Sequence, residues 1–486
     1  MQARTFNHST TSKRGPGGSA VFGGLVAFAV AIALTGGSSR YDVPQLILLQ
    51  PVALLALGFG VFFVRWGDLK PYKGVFWLLV ALTALIAAQL IPLPHQLWSS
   101  LPGHGMAARA DAAVGFDGMR PLSLAPGRTY NALFNMAVPL AGIVLFAALR
   151  QRAVPVVLGA ILVMAAANAL LGLAQIGAGG RNIFYLFRLT AFGAPVGLFA
   201  NPNHAAVFNA IAMVVIVAVV TRIPRRGGRR WAFVLWPLYA LLMLVSLVSP
   251  SRTGLLGVIA ALLATGIVFG LRYIAGRRNA TTGRSYRGFI LGAVVSGLVA
   301  LFALFFALGR VPALERFTGD SAVNDLRFRI AGTLIEMIRT YFPFGSGIGS
   351  FEQVYYIAET PAMLMPSYVN NAHNDWLQLV IEGGLPALLL LLVGIAIVLL
   401  PILRLLREGG RGVEIGVIGA FGILIVAFAS GVDYPLRTPL FQLVAVWLVA
   451  MLIASSNRSG RSINNRRGGD YGRSPMASAV SSARKD

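Results

Sequence analysis

The chain has 486 residues, of which 56% are hydrophobic and only 12% charged, with a formal net charge of +24 and no cysteine. Soluble domains carry about a quarter of their residues charged, so this composition, with a mean hydropathy of +0.72, excludes an ordinary soluble globule. Lack of cysteine excludes disulfides, thiolate metal sites and cysteine nucleophiles.

Apolar runs near the roughly 20 residues needed to cross a bilayer as helix recur along the whole length. In chain order they are Gly18–Thr35, Gln45–Val64, Gly74–Leu90, Asn131–Leu149, Val154–Ile176, Ala205–Val220, Ala232–Leu247, Gly254–Leu271, Phe289–Leu308, Leu385–Leu403, Ile415–Ala429 and Leu440–Ile453. The expected fold is therefore an all-α polytopic membrane protein of about twelve transmembrane helices. Lys13 and Arg14 precede the first run as in a signal peptide, but no small-residue cleavage site follows, so it reads as a retained helix.

With the N-terminus in the cytoplasm, most of the 41 Lys and Arg fall on the cytoplasmic side, concentrated in short connections and the tail. That is the distribution the positive-inside rule expects, and it places both termini inside. Anionic lipid headgroups account for this charge more simply than nucleic acid does. Residues 1–17 read as a cytoplasmic segment, 18–454 as one transmembrane domain, and 455–486 as a basic cytoplasmic tail whose Ser, Gly, Asn and Arg content predicts disorder.

Two outward connections are long. Ile91–Tyr130, with five prolines and Trp98, reads as a loop on the headgroup layer. The larger, 309–384, lies between the ninth and tenth spans and carries helical patterning: Leu326, Ile330, Leu334, Met337 and Ile338 mark an amphipathic helix over Asn324–Tyr341. A glycine-rich turn, Pro343 to Phe351, follows. His373–Glu382 reads as a short helix capped by Asn370 or Asn371 and ended by Gly383 and Gly384.

The chemistry-bearing residues gather on this outward side. Only five histidines occur, and His373 sits where a polar segment meets an apolar span, with Asn374 beside it. Imidazole titrates near neutrality and suits a general base; Asp375 or Glu382 would orient it, and a structural capping role is the alternative. His204, in Asn201-Pro202-Asn203-His204, carries the same ambiguity, with helix capping by Asn203 preferred over acceptor binding. Arg252, between two apolar spans, needs a counter-charge; a phosphate would supply one, since the guanidinium fork makes paired bonds to it. Arg327 and Arg329 are further phosphate candidates. Snorkelling, or pairing with Asp320, Asp325 or Asp433, is the other reading. His373 and Asp375 alone provide no three-ligand zinc set, and no Asp-x-Asp pair lies outside, so no metal is expected.

The ordered set Asn201-Pro202-Asn203-His204-Ala205, Ser251-Arg252-Thr253-Gly254, Arg327, Pro343 to Phe351, His373-Asn374 and Glu382-Gly383-Gly384-Leu385-Pro386 resembles the O-antigen ligase and polymerase superfamily. The resemblance implies a bacterial inner-membrane glycosyltransferase without cofactor. Such an enzyme moves a glycan from undecaprenyl pyrophosphate to an acceptor glycan or lipid in O-antigen or exopolysaccharide assembly. It implies that Arg252 and Arg327 contact pyrophosphate and that His373 is the essential loop histidine. Many relatives carry tryptophan four residues after the second arginine, where this chain has Ala331, which keeps Arg329 as an alternative to Arg327. A transporter or flippase is the competing class; its usual midplane charges and paired halves are not visible here.

Overall fold

The computed structural model describes residues 16–222, 229–278, 329–361, 369–407 and 411–471, with a few isolated positions between 297 and 364. Among the described residues, 11 helices are long and apolar enough to cross a membrane. They coincide with eleven of the twelve expected runs; most of the remaining run, Phe289–Leu308, lies outside the described residues. The only strands among the described residues are Pro92–Leu93 and Arg120–Pro121, which pair antiparallel.

Helix Pro202–Val220 is the axis of the bundle, the most thoroughly buried span at 83%, and it packs on helices Ala153–Gly177, Arg229–Val248, Arg252–Arg278 and Arg411–Val432. Small residues allow the close approach: a Cβ on Gly254 would stand 2.3 Å from that of Ala206, and one on Gly257 would stand 2.9 Å from that of Ala210. In lipid, where apolar faces gain little by meeting each other, such backbone proximity drives helix association.

The connections among the described residues sort onto two faces. On the arginine-rich face, Arg150 reaches Asp68 at 3.0 Å and Arg272 reaches Glu414 at 2.8 Å. On the opposite face the helices beginning at Pro202, Arg252, Asp375 and Pro439 start together, and helix Arg411–Val432 ends among them.

The first long connection and the described part of the second form one lobe on that opposite face. Leu124 N donates to Ser346 O at 2.9 Å, Thr129 Oγ1 to Ile348 O at 2.8 Å, and Arg128 pairs with Glu352 at 2.6 Å. The Ile91–Tyr130 segment is thus not a plain loop. It contains helices His95–Ser99 and Gly105–Ala113 and packs on the second connection, because its backbone donors find partners there. Within that lobe Arg120 bonds both carboxyl oxygens of Asp111, holding this carboxyl below the usual range.

The expected amphipathic helix is described from Ala331 to Tyr341, and buries Leu334, Met337 and Tyr341. Burial pushes the Tyr341 hydroxyl up to about 12. The expected short helix begins at Asp375, two residues later than expected, and ends at the expected glycines: Gly384, with φ of 59° and ψ of −149°, is not helical, and the membrane span follows at once to Arg407.

Candidate active site

Polar side chains inside the bundle set the entry to the Pro202 helix. Gln175 Oε1 accepts from Val196 N and Gly197 N at 3.0 and 2.8 Å, and Asn168 Oδ1 from Leu198 N at 2.9 Å. These bonds fix the turn that delivers Asn201. Its Oδ1 accepts from Asn203 N at 2.9 Å, with Pro202 at the first helical position. The helix cap is therefore Asn201, not Asn203 as expected. An N-cap oxygen reaches the amide two or three residues on, and Asn201 has the extended backbone that requires. Asn203 is thereby released to donate to Asp433 Oδ2 at 2.6 Å.

His204 is buried, with Nδ1 3.2 Å from Thr438 Oγ1 and Nε2 3.9 Å from Asp433 Oδ1. His373 approaches the same carboxylate from the turn before the Asp375 helix: its Nδ1 stands 3.4 Å from Asp433 Oδ1. The His373 side chain is 21% exposed and that of Asp433 1%, so one edge of the imidazole faces a buried carboxylate while the ring keeps access to solvent. Tyr434 stands edge-on to both rings, at 4.9 Å from His373 and 5.1 Å from His204.

His373 is one of two non-glycine residues with positive φ among the described residues, at 50°, a conformation that histidine tolerates better than most side chains. Immediately after it Asn374 Oδ1 accepts from Trp376 N and Leu377 N at 3.1 and 3.0 Å, capping the helix. The cap expected at Asn370 or Asn371 is thus displaced. Asn371 instead accepts from Gln378 Nε2 at 3.2 Å. Asn374 Nδ2 also donates to Gly431 O at 2.9 Å, tying the histidine turn to the helix end that precedes Asp433.

Asp375 and Glu382 do not orient His373. Both face Arg437: Glu382 Oε2 accepts from its Nη1 at 2.5 Å, and Asp375 Oδ1 lies 3.5 Å from its Nε. The reason is helical geometry, since residues 375, 378 and 382 share one face of the helix and that face looks toward Arg437. Glu382 is fully buried; its Oε1 accepts from Gln378 Nε2 and Phe351 N, and its backbone carbonyl accepts from Gln89 Nε2 and Gly347 N. Burial works against the charge on Arg437, but Glu382 and Asp375 more than reverse that effect and hold the guanidinium more firmly protonated than usual. Asp375 Oδ2 also accepts from Leu436 N at 3.0 Å. Residues 433–437 thus form a partition, with Asp433 turned toward the histidines at one end and Arg437 toward a cavity at the other.

That cavity has a volume of about 270 Å³ and lies between the membrane helices and the outward lobe. Its wall includes Arg40, Tyr41, Arg128, Asn131, Glu352, Trp376 and Gln442. Arg128 stacks on Tyr41, 3.6 Å from the ring centroid. Arg40 bonds both carboxyl oxygens of Asp42, at 2.8 and 2.5 Å, which holds that carboxyl below its usual range.

Arg252 opens its helix directly after Ser251, whose Oγ accepts from Gly254 N at 2.9 Å as a cap. The close contact of Gly254 with Ala206 sets Arg252 at the same end of the bundle as Asn203 and His204. A guanidinium beside a helix N-terminus, where unpaired amides already favour negative charge, suits an anion. Arg327 lies outside the described residues. Arg329 is exposed and adjoins the Phe351–Ala358 helix, near enough for its charge to oppose the effect of burial, which raises the Tyr355 hydroxyl. Among the described residues no three His, Asp or Glu side chains form a metal-binding group.

The structure therefore brings His373, Asn374, Asn203 and His204 together, with Arg252 at the same end of the bundle. Sequence reasoning did not identify Asp433 as the common partner of the two histidines. The signal available was its position just past an apolar run in Gly431-Val432-Asp433-Tyr434, where a carboxylate bordering the bilayer needs a reason.

Fold and site define a polytopic helical membrane protein with a polar centre at one end of its bundle. Residues 238–392 match the family model described as O-antigen ligase. The match covers about a third of the chain and supports the O-antigen ligase and polymerase superfamily, and with it lipid-linked glycan transfer in general. The matched stretch contains Arg252, Arg327, Arg329, His373 and Asn374, and ends before Asp433 and Arg437. No curated protein matches the sequence.

Proposed function

We propose that this protein is a glycosyltransferase of the bacterial inner membrane. It transfers a glycan from undecaprenyl pyrophosphate to an acceptor hydroxyl on the periplasmic side, with both termini in the cytoplasm. The observation that carries this reading is the His373–Asp433 arrangement, a partly exposed imidazole with one nitrogen 3.4 Å from a buried carboxylate. A proton held on Nδ1 toward Asp433 leaves Nε2 as the base. That nitrogen takes the proton of the acceptor hydroxyl as the new bond forms, and Asp433 stabilises the imidazolium.

The bond that breaks joins the anomeric carbon to pyrophosphate, and charge builds on the departing oxygen. Fixed guanidinium groups stabilise it without reorganisation, a role assigned to Arg252 with Arg327 or Arg329. Attack from the face opposite the leaving group inverts the anomeric centre. Asn203 and Asn374 hold the carboxylate and the histidine turn in place, and His204 fills the buried side of the same centre. Ligation of a finished chain and polymerisation of repeat units are both forms of this step, distinguished by the acceptor.

Glycan analysis after gene deletion tests the reading. Long undecaprenyl-linked chains are expected from loss of a ligase and single-repeat products from loss of a polymerase; an unchanged glycan profile would refute both. Arg252→Lys keeps the charge but loses the fork, so donor affinity is expected to fall, as measured by binding of undecaprenyl pyrophosphate. Wild-type affinity would remove Arg252 from the phosphate site.

A further inference from the structure

Residues 178–200, which join helix Ala153–Gly177 to helix Pro202–Val220, carry none of the groups used in the proposed transfer, yet their surface is unlike that of a solvated turn. Ile183 is 91% exposed and Leu189 57%, and Phe184 and Phe192 are exposed beside them. Arg181 and Arg188 are exposed on the same segment. Arg181 lies over the Phe192 ring at 5.3 Å, and among the described residues neither guanidinium is bonded to a carboxylate. From Gly177 to Asn203 the sequence contains no Asp or Glu. Arginine otherwise concentrates on the opposite face of the bundle, so two unpaired guanidinium groups on this face call for an anion.

The segment is held by its own hydrogen bonds. Tyr185 Oη donates to Ala194 O at 3.3 Å and accepts from Gly193 N at 2.8 Å, Asn182 Nδ2 donates to Gln175 O at 3.0 Å, and Thr190 Oγ1 donates to Ala200 O at 2.9 Å. A backbone fixed in this way keeps the apolar side chains outward instead of letting them fold back, and exposed apolar groups so held mark an interaction surface.

The depth of the segment identifies what covers it. Leu186 packs on the transmembrane core, and its carbonyl accepts from Gln45 Nε2 at 2.8 Å, immediately before helix Leu46–Phe63 begins. Phe187 beside it is buried, while Ile47 and Leu48 open the exposed apolar surface of that span. Ile183 and Leu189 thus stand three residues either side of a point fixed at the edge of the bilayer. Aromatic and aliphatic side chains interleaved with arginine at that depth have the composition of an interfacial anchor. The guanidinium fork suits phosphate.

We infer that residues 181–192 dip into the near leaflet and bind anionic phospholipids, with Ile183, Leu189 and Phe192 among the acyl chains and Arg181 and Arg188 on the headgroup phosphates. Phosphatidylglycerol is preferred over phosphatidylcholine, because the choline head carries a cation of its own.

The chain has no cysteine, so a single label can be placed by substitution in the full-length protein in nanodiscs. A nitroxide on Ile183→Cys is expected to relax more with oxygen than with an aqueous nickel chelate. The same label on Glu336→Cys, exposed on helix Ala331–Tyr341, should show the reverse. A fluorophore on Ile183→Cys should be quenched about threefold more by brominated phosphatidylglycerol than by brominated phosphatidylcholine at equal mole fraction. Arg181→Gln with Arg188→Gln should bring that ratio to about one without changing the thermal melt, and about 1 M salt should shrink it, since screening is then nearly complete. A label at Ile183→Cys as open to the nickel chelate as that at Glu336→Cys would leave this face to a soluble partner and overturn the inference. Equal quenching by the two lipids, or an unchanged ratio in the double glutamine variant, would overturn it as well. So would displacement of phosphatidylglycerol by equimolar undecaprenyl phosphate, which would assign the surface to the polyprenyl lipid.

Discussion

Two charged clusters lie at opposite ends of the five-residue partition Asp433 to Arg437, and they are built on different terms. Around Arg437 the bonds are short and saturated: Glu382 is fully buried, accepts through both carboxyl oxygens, and is tied by its own carbonyl to the Gly347 turn. Asp433 also accepts through both oxygens, from Asn203 Nδ2 at 2.6 Å and Tyr434 N at 3.0 Å, but the histidines beside it stand off, at 3.4 Å for His373 and 3.9 Å for His204, and neither facing nitrogen completes a hydrogen bond. A saturated cluster fixes shape, because any displacement leaves a buried charge unpaired. An imidazole that stands off from a fixed carboxylate can gain or lose a proton without dismantling its surroundings, which is what proton transfer requires.

The contrast is sharpened by breaking the saturated side first. Glu382→Ala leaves Arg437 buried beside Asp375 alone, and should cost about 3–5 kcal/mol of stability, seen as loss of folded protein in detergent thermal melts. Retention of wild-type melting would show that the Arg437 cluster is not what holds the lobe to the bundle. Gly384→Ala should cost about 1–3 kcal/mol, because its φ is 59° and the added Cβ would stand 2.1 Å from Pro343 O. Melting unchanged in that variant would argue that the break in the helix is free to relax. Smallest is Asn374→Ala, which removes the cap and the bond to Gly431; a loss of about 1 kcal/mol is expected, with transfer activity falling further than stability. Equal losses in both would make Asn374 a cap and nothing more.

What was legible in the sequence follows from the range of the interactions involved. Membrane spans are written locally, as apolar runs of the right length, and eleven were read in the right places. The glycines of Gly345-Ser346-Gly347-Ile348-Gly349 were also local, and all three take positive φ, whereas His373, read as the start of a helix, turns with positive φ before it. Caps were missed by two to four residues because several asparagines stand close together at each helix start, and only backbone direction chooses among them. The partners of the charged groups were not legible. Asp433 meets His373 across 60 positions, and Arg437 meets Glu382 across 55. Asp375 and Glu382 were nearer to His373 in sequence, but helical spacing points them away.

The central claim is that His373 takes the acceptor's proton while Asp433, 3.4 Å from its Nδ1, stabilises the imidazolium that results. The direct measurement is glycan transfer by His373→Ala in proteoliposomes supplied with undecaprenyl-pyrophosphate-linked donor and acceptor. A positioned base contributes about 10²–10⁴-fold, so turnover should fall by that factor while donor binding and thermal melting stay near those of the unaltered protein. Turnover equal to that of the unaltered protein would contradict the account.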